Sequence, residues 1–426
     1  MTVVGLDDTD SRRRGMCTTY AAALVAERLR REAAVTRLLL VRLNPAVPYK
    51  TRGNAALAVH TDAAPDRAFE IARAVVAGEA MAGDERTNPG LVVAPGDPEE
   101  VTDAVADWHA RALRELLDAD AARALAADAG YRVEGWKNGQ GVVGALAAVG
   151  AWRGWDRREE PPTYETITYR ERDRWGTDRE VDAASVFAAA DAFYPTVWDT
   201  VDRVERETVC VPHTPGPVLH GIRGDDPEAT RTCAAAIDSE PVERRETFVT
   251  NQGTDAHLAD GTVSGAREGR GYRLDGTVSS PPATRRGGHV FFELADGDAT
   301  LECAAFAPTH RFRDRVRALR VGDELTVCGE VSEGTVKLEK VAVRALVETE
   351  RVTPTCPDCG RKMESAGRNQ GYRCRGDCGT TAPGKVDRAL DRGLAVGWYE
   401  VPPTARRHVA KPLIRGGFDA PTHPER

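Results

Sequence analysis

The chain has 426 residues, a length that accommodates about three domains. No apolar run reaches the ~18 residues that a membrane helix needs, and the N-terminal residues lack the basic-then-apolar pattern of a secretion signal. The nine cysteines, four of them clustered in one short segment, are typical of a reducing compartment and not of a disulfide framework. We therefore expect a cytoplasmic protein without a membrane partner.

The net charge of −8 by itself argues against a nucleic-acid partner. Only seven of the 58 basic residues are lysine, however, and an acidic, arginine-rich composition resembles that of proteins from high-salt organisms. High salt weakens phosphate contacts, so RNA binding would depend on shape, stacking and bidentate arginine contacts. The acidic charge therefore does not exclude RNA.

Three carboxylates follow a short apolar strand predicted over residues 3–6: Asp7, Asp8 and Asp10. Carboxylates this close repel each other unless a cation or hydrogen-bond donors neutralise them. Oxygen ligands of this kind suit magnesium. The alternative interpretation is a solvated, aspartate-rich loop.

A helix is predicted over residues 18–33, with Thr18 or Thr19 at its N-cap. Free backbone N–H groups and a positive partial charge make a helix N-terminus a phosphate site. Together with the carboxylates, this pattern predicts a site for magnesium and a nucleoside triphosphate. The alternative is that Thr18 only caps its helix.

A predicted strand over residues 35–43 leads into a Pro- and Gly-containing loop, residues 44–54. Lys50, Arg52 and Asn54 lie close together in this loop and could hold triphosphate oxygens or an RNA backbone. The alternative is an ordinary basic turn.

The next elements alternate between strand and helix: strand 55–60, helix 66–77, strand 91–93 and an Ala-rich helical stretch over 99–129. This order predicts an α/β unit of ferredoxin-like type. The glycine-rich run 139–150 lacks a Walker lysine and is not a P-loop. It indicates close packing of a helix on the sheet; the family resemblance described below implies a second interpretation, backbone near ATP.

Residues 209–224 are predicted to form two strands joined by a Pro- and Gly-rich loop, which would make one wall of a pocket. A strand and a polar turn follow at residues 248–258. Asp255 in this turn is a candidate partner for a cation, or part of an Asx-turn.

Residues 272–347 are predicted to form an OB-fold, because three strands, a helix and two strands follow in that order. OB-folds bind single strands and loops by stacking. Phe291, Phe292 and Phe306 could stack on bases, although the alternation of a strand requires some of them in the core.

A zinc ribbon is predicted over residues 350–382, because two cysteine pairs lie fourteen residues apart: Cys356, Cys359, Cys374 and Cys378. Four thiolates complete a tetrahedral site, so this zinc would be structural. Residues 383–426 form a C-terminal tail with a basic patch at Arg406, Arg407, His408 and Lys411. Residues 1–265 are left as the catalytic region.

Several of these segments carry a family resemblance: GLDDTDS at 5–11, GMCTTY at 15–20, NPAVPYKTRGN at 44–54 and PPTARRH at 402–408. Together they resemble the archaeal agmatidine synthetases, which modify the wobble cytidine of an isoleucine tRNA with a CAU anticodon. The resemblance runs along essentially the whole chain in the same order. It implies a multidomain α+β protein with a kinase-like catalytic lobe interleaved with a ferredoxin-like lobe.

The resemblance also implies an ATP-dependent ligase that joins agmatine to C2 of that cytidine, so that AUA codons are read. ATP would activate the C2 oxygen by phosphorylation, and the amine would displace phosphate. Asp7, Asp8 and Asp10 would hold magnesium, Lys50 and Arg52 would neutralise the phosphoryl charge, and Thr18 or Thr19 would accept phosphate.

Two other functions remain open from the residues. A non-catalytic tRNA-binding protein would need only the OB-fold and the ribbon, and has no use for the carboxylates. An ATP-dependent RNA-modifying enzyme with another amine fits the same motifs. No DNA partner is expected.

Overall fold

The computed structural model describes residues 1–48, 50, 53–156 and 161–426. The chain is a mixed α/β protein built around two large β-assemblies, a nine-stranded sheet and a five-stranded barrel. Arg52, predicted to contact phosphate, lies outside the described residues.

The nine-stranded sheet is built from the N-terminal part of the chain. Its strands are β1 (Thr2–Asp7), β2 (Val35–Arg42), β3 (Ala55–Thr61), β4 (Gly90–Pro95), β5 (Arg132–Gly135), β6 (Thr163–Arg170), β7 (Val197–Trp198), β8 (Val218–Gly224) and β9 (Val242–Thr250). Their order is β5-β4-β1-β3-β2-β9-β6-β8-β7. The parallel pair β2–β9 joins the earlier strands to the later ones, so the two parts share one sheet.

Helices cover the sheet: α1 (Thr18–Leu29), α2 (Pro65–Glu79), α3 (Asp103–Ala112), α4 (Ala119–Asp128), α5 (Val142–Val149), α6 (Ala151–Asp156), α7 (Ala183–Phe193) and α8 (Pro227–Ala235). The helix predicted over 99–129 is in fact two helices, because Asp118 caps α4 with its side chain. The strand predicted before the 212–217 loop does not form; Val209–Val211 lies in turns. Within the described ranges, no helix is long and apolar enough to cross a membrane.

The alternation of β1 sends its side chains into two different cores. Val4 and Leu6 pack with α1 and α2, whereas Val3 packs with α3 and α5 on the opposite face. Gly5 lies against the Ala145 carbonyl, where any Cβ would overlap. This confirms that the glycine-rich run packs a helix closely on the sheet.

The barrel region follows, with strands β10 (Leu258–Gly261), β11 (Gly271–Val278), β12 (Ala283–Thr284), β13 (Val290–Asp296), β14 (Ala299–Ala305), β15 (Glu324–Ser332) and β16 (Thr335–Ala345); five of these form the barrel itself, and β10 and β12 are additional strands that pair with β11 and β13. It closes in the order β11-β13-β14-β16-β15-β11. A short helix, α9 (Phe312–Arg317), lies between the third and fourth barrel strands, where the sequence predicts a helix.

The C-terminal part begins with a small module of strands β17 (Thr349–Val352), β18 (Glu364–Ser365), β19 (Tyr372–Arg373), β20 (Thr381–Ala382) and β21 (Val386–Ala389). The chain then returns to the barrel as β22 (Gly397–Glu400), which pairs with β16, and ends with β23 (Thr422–His423) beside β22. Residues between these last two strands pass between barrel and sheet; Gly253 N–H, for example, donates to the His408 carbonyl at 2.8 Å.

The prediction of a basic surface patch in this tail is wrong for Arg406. Its side chain is 2% exposed and forms ion pairs with Asp199 and Glu400. Arg407 is similarly paired with Glu330 and Glu339 of the barrel. Burial of a guanidinium requires carboxylate partners, so these arginines bind the chain's own elements.

Candidate active site

A cleft of about 750 Å³ opens where β1 ends. Its walls are the N-terminus of α1, described residues of the 44–54 loop, the 207–218 loop and the start of α5. The barrel contributes Pro308 and His310, and the C-terminal segment contributes Thr404 and His408. The cleft therefore collects side chains from distant parts of the sequence.

The predicted carboxylates Asp7, Asp8 and Asp10 all line this cleft. Asp8 N–H donates to Asp7 Oδ1 at 2.7 Å, and Asn88 N–H donates to Asp8 Oδ2 at 2.8 Å. Burial and the neighbouring Asp8 raise the pKa of Asp7 well above its usual range. Burial also raises the pKa of Asp8 to about 7. A bound cation would let all three carboxylates ionise together.

The loop that supplies the Asn88 amide is held by contacts that the sequence motifs do not indicate. Lys137 Nζ donates to the carbonyls of Asp84 and Thr87, at 2.5 and 2.8 Å. Ser11 Oγ donates to Asp84 Oδ2 at 2.5 Å. The positive charge of Lys137 also opposes the rise in the pKa of Asp8. Lys137 adopts a left-handed backbone conformation, with φ of 60°, which no motif announces.

Thr18 is the first residue of α1, and Cys17 occupies the N-cap position without a side-chain capping bond. The prediction that Thr18 or Thr19 caps this helix is therefore wrong. Thr18 Oγ1 instead accepts hydrogen bonds from Thr9 N–H at 3.3 Å and Thr9 Oγ1 at 3.1 Å. Thr19 Oγ1 lies 3.0 Å from Cys17 Sγ. Both threonines line the cleft beside the carboxylates.

Lys50, which was predicted to contact phosphate together with Arg52, also lines the cleft. Its ammonium donates to the Pro45 carbonyl of its own loop. Burial lowers the pKa of Lys50. Asn54, also singled out in this loop, donates from Nδ2 to the Asn44 carbonyl at 2.7 Å and so closes the loop.

Charged side chains from β2, β6 and β8 form part of the cleft wall and were missed from sequence. Arg42 lies 3.8 Å from Glu165, which also accepts from Gln252 Nε2 at 2.5 Å. Arg223 is close enough to Arg42 to lower the pKa of that guanidinium, and it lies 3.7 Å from Asp199. Charged residues within predicted strands were the available signal.

His408 faces the same arginines from the C-terminal segment. Arg42, burial and Arg223 lower the pKa of His408 well below its usual range, so its imidazole is neutral at pH 7. His408 belongs to a run singled out as a basic patch and as part of the family resemblance, but its place in the cleft was not predicted.

Asp255, considered as a partner for a cation, lies in the interface between sheet and barrel and does not line the cleft. Its Oδ1 accepts from Lys340 Nζ at 2.6 Å and from Lys411 N–H at 2.7 Å. The cation that Asp255 binds is therefore the chain's own lysine.

The four cysteines of the small module come together as predicted: Cys356, Cys359, Cys374 and Cys378 lie with all Sγ atoms within 4.8 Å of one another. Zinc–sulfur bonds of about 2.3 Å in a tetrahedron require Sγ atoms about 3.8 Å apart. The closest pairs here, at 3.3 to 3.6 Å, approach that spacing. Four thiols this close fit a closed zinc site with no open position.

Three regions of the chain match family models of known proteins. Residues 3–138 match the TiaS TCKD domain, residues 139–257 the TiaS FLD domain and residues 353–394 the TiaS C-terminal zinc ribbon domain. The chain is 51% identical to the isoleucine-tRNA 2-agmatinylcytidine synthetase TiaS of Haloquadratum walsbyi, over all of both chains. Identity to the TiaS of Methanosarcina mazei is 45%, over 97% of each chain.

Solved structures agree over the whole length. A complex of TiaS with its isoleucine tRNA and ATP matches with a TM-score of 0.89 and 41% identity, covering 100% of this chain and 99% of that one. A complex of TiaS with the same tRNA, AMPCPP and agmatine matches with a TM-score of 0.86 and 39% identity, with the same coverage. The resemblance in the sequence motifs is thereby confirmed, and the chain belongs to the TiaS family of isoleucine-tRNA 2-agmatinylcytidine synthetases.

Proposed function

We propose that this chain is an ATP-dependent ligase that joins agmatine to C2 of the wobble cytidine of an isoleucine tRNA with a CAU anticodon. The observation that carries the proposal is the full-length match to a TiaS complex with an isoleucine tRNA, an ATP analogue and agmatine. The product, agmatidine, would allow AUA codons to be read in the cytoplasm. The cleft supports the proposal, because it combines a carboxylate cluster, hydroxyls and cations in one place.

Magnesium fits the carboxylate cluster. Asp7, Asp8 and Asp10 offer oxygen ligands, and the raised pKa values of Asp7 and Asp8 show that their ionised forms are unfavourable without a cation. Held there, magnesium would neutralise negative charge on the transferring phosphoryl group. Gly144 lies directly against the Asp7 carboxylate, where a Cβ would overlap Oδ2, so glycine at this position leaves room for the ligand.

The chemistry requires a better leaving group at C2 of cytidine. Transfer of the γ-phosphoryl group of ATP to the C2 oxygen forms a P–O bond and breaks the bond to ADP. The agmatine amine then forms the C2–N bond, the C2–O bond breaks, and phosphate leaves with the oxygen, while the amine releases a proton. Lys50 and Arg52 would stabilise the phosphoryl charge. Thr18, or Thr19 beside it, would accept a phosphoryl group from a further ATP, which leaves as ADP.

We also propose how the architecture divides these tasks. Residues 1–265 would form the catalytic region, a kinase-like lobe interleaved with a ferredoxin-like lobe. Residues 272–347 would be an OB-fold for tRNA, since the closed order of its five strands is the one that this fold has. Residues 350–382 would be the zinc ribbon, and residues 383–426 would connect barrel and sheet.

Mass spectrometry of the tRNA tests the proposal. Wild-type protein, ATP and the CAU-anticodon tRNA are incubated with agmatine, or with putrescine or spermidine as competing amines. We expect the mass of agmatidine at the wobble cytidine with agmatine alone. An adduct formed only with another amine would mean that the protein is a different RNA-modifying enzyme. Binding of tRNA without any adduct would mean that it is a non-catalytic binding protein.

A further inference from the structure

Three aromatic side chains form a cluster on the outside of the barrel. We call His289, Phe291 and Phe306 the aromatic triad. Their ring centroids are 5.1 Å (His289–Phe306), 6.2 Å (Phe291–Phe306) and 6.5 Å (His289–Phe291) apart, all in edge-to-face arrangements. Each of the three residues is partly exposed.

The position of Phe291 is unusual for a barrel strand. Along β13, Val290, Phe292 and Leu294 are buried in the barrel core. Phe291 alternates with them and shares the outer face with the exposed Glu293. An outward position in a strand is normally polar, so a phenylalanine here needs a reason other than the core. Phe292 is thereby assigned to the core and excluded from stacking.

The triad is held in place before any ligand arrives. Ala307 N–H donates to His289 Nδ1 at 2.9 Å, which ties the start of β13 to the turn after β14. Thr309 donates to the Phe306 carbonyl from both its amide, at 2.9 Å, and its hydroxyl, at 2.8 Å. Rings that are already ordered lose little conformational entropy when a partner binds.

Guanidinium groups surround the triad. Arg285 lies over the Phe291 ring, 3.8 Å from its centroid, while it pairs with Glu302. Arg286 is exposed and has no ion-pair partner among the described residues. Arg313 donates to the Gly288 carbonyl at 2.8 Å, next to His289. Ring faces beside arginines are complementary to a nucleobase beside its phosphates.

The triad is close in sequence to residues that line the catalytic cleft. Pro308 and His310, two and four residues after Phe306, line that cleft. We propose that the aromatic triad is the platform on which an unpaired nucleotide next to the target cytidine stacks. This inference rests on the proposed function. Stacking is not screened by salt, and this makes it suitable for an acidic chain whose phosphate contacts weaken in high salt.

Substitution of both phenylalanines tests the platform. Phe291→Leu combined with Phe306→Leu should weaken binding of the CAU-anticodon tRNA about 10- to 100-fold, because each stacked base contributes strongly to affinity. KM for tRNA should rise while kcat at saturating tRNA stays within about twofold. Phe291→Trp, which keeps a ring face, should retain affinity. Unchanged tRNA affinity in the double variant would overturn the proposal.

Trp152→Leu is the matched control. Trp152 also carries an arginine over its ring, Arg37 at 3.5 Å, and an edge-to-face histidine, His60 at 6.3 Å, but it lies on α6 and not on the barrel. This variant removes the same kind of packing and should bind tRNA normally. An equal loss of affinity in this control would overturn the platform as a specific site.

A crosslinking experiment keeps the test independent of variant folding. Wild-type protein is irradiated with tRNA that carries 5-iodouridine at single unpaired positions beside the target cytidine. Crosslinks to Phe291, Phe306 or His289 support the platform, whereas crosslinks found only elsewhere refute it. Failure of the proposed function would be distinct, because the wild-type protein would then form no agmatidine whatever the crosslinks show.

Discussion

The cleft brings three carboxylates close together and the zinc ribbon brings four thiols close together, but the two regions do so by different means. In the cleft, apolar layers on both faces of the sheet fix β1, α1 and α5, and the carboxylates follow from those positions. In the ribbon, the buried cluster contains only Cys356, Met363 and Cys374, with Tyr372 and Ala382 packed against it. Most other residues between 350 and 390 are exposed.

This difference determines whether the clustered ligands matter for folding or for chemistry. The sheet has an apolar core large enough to hold costly like charges together. The ribbon has no such core, so binding of zinc to its thiolates must supply the folding free energy. Loss of one carboxylate should therefore abolish chemistry in the cleft and leave the sheet folded, whereas loss of one thiolate should unfold the ribbon.

The largest effect is expected from Asp8→Asn. This change removes one charge from the proposed magnesium site with little change in shape. Turnover should fall by several orders of magnitude, because charge stabilisation is the main catalytic contribution in phosphoryl transfer. Steady-state agmatidine formation measures this, with Asp120→Asn, an exposed carboxylate on α4, as the control. Near-normal turnover in a folded Asp8→Asn protein would place the site elsewhere.

Thr18→Ala should abolish labelling of the protein by γ-labelled ATP, while Thr18→Ser retains it. The hydroxyl does not cap α1 but bonds to Thr9, so its loss should lower the free energy of unfolding by only about 1 kcal/mol. Labelling and melting are measured side by side, with Thr19→Ala as the neighbouring control. Labelling lost in Thr19→Ala and kept in Thr18→Ala would reverse the assignment.

Cys374→Ser should release zinc and unfold residues 350–382 locally, because a structural zinc site contributes on the order of 10 kcal/mol. ATP hydrolysis in the cleft should persist. Metal analysis measures the loss of zinc, and hydrogen exchange measures the local unfolding. As a control, Cys233→Ser changes a buried cysteine outside the module, and this variant should keep the zinc of the ribbon. The comparison fails if the wild-type protein contains no zinc or if Cys374→Ser protein keeps its ribbon protected.

The smallest effect is a pH dependence from Glu400, buried beside Arg406 between barrel and sheet. Burial raises the pKa of Glu400 from 4.5 to about 7 in the folded state. Its contribution to stability is therefore fully present below pH 4.5 and is lost as the pH rises through about 7. Glu400→Gln stays neutral and can still accept from Leu413 N–H, so we expect it to lack this decline in thermal melts between pH 4.5 and 8.

Glu339 provides the opposite sign at the same interface. Despite burial, His257 and Arg407 lower the pKa of Glu339 to about 2. Its contribution is present above pH 4.5 and is lost as the pH falls towards 2. Glu339→Gln should therefore be less stable than wild type at neutral pH, and melts that move in the same direction for both variants would contradict the assignment.

Much of the fold was accessible from sequence because its signals are local. The strand before Asp7, the helix after Cys17 and the five barrel strands follow from hydrophobic alternation and turn residues. The errors are also local in origin. Asp118 begins a new helix inside an Ala-rich stretch that periodicity alone reads as continuous.

The candidate site was predicted only in part. The carboxylates, threonines and Lys50 belong to contiguous motifs, so sequence indicated them. Arg42, Glu165, Arg223 and His408 are scattered over the chain and meet only because β2, β6, β8 and the C-terminal segment surround one cleft. Their role depends on burial and on one another's charge, which no single segment reveals.

The sequence by itself determined the chemistry that is available: a carboxylate cluster after a strand, four thiols at ribbon spacing and five strands with a helix in the order of a barrel. Tertiary structure alone decided which charges face the cleft and which are consumed inside the molecule. Arg406 and Asp255 have the residue types of ligands, yet each is paired with a buried partner of the chain itself. The physical reason is that a charge's partner is set by three-dimensional proximity in a low-dielectric interior, not by its neighbours in sequence.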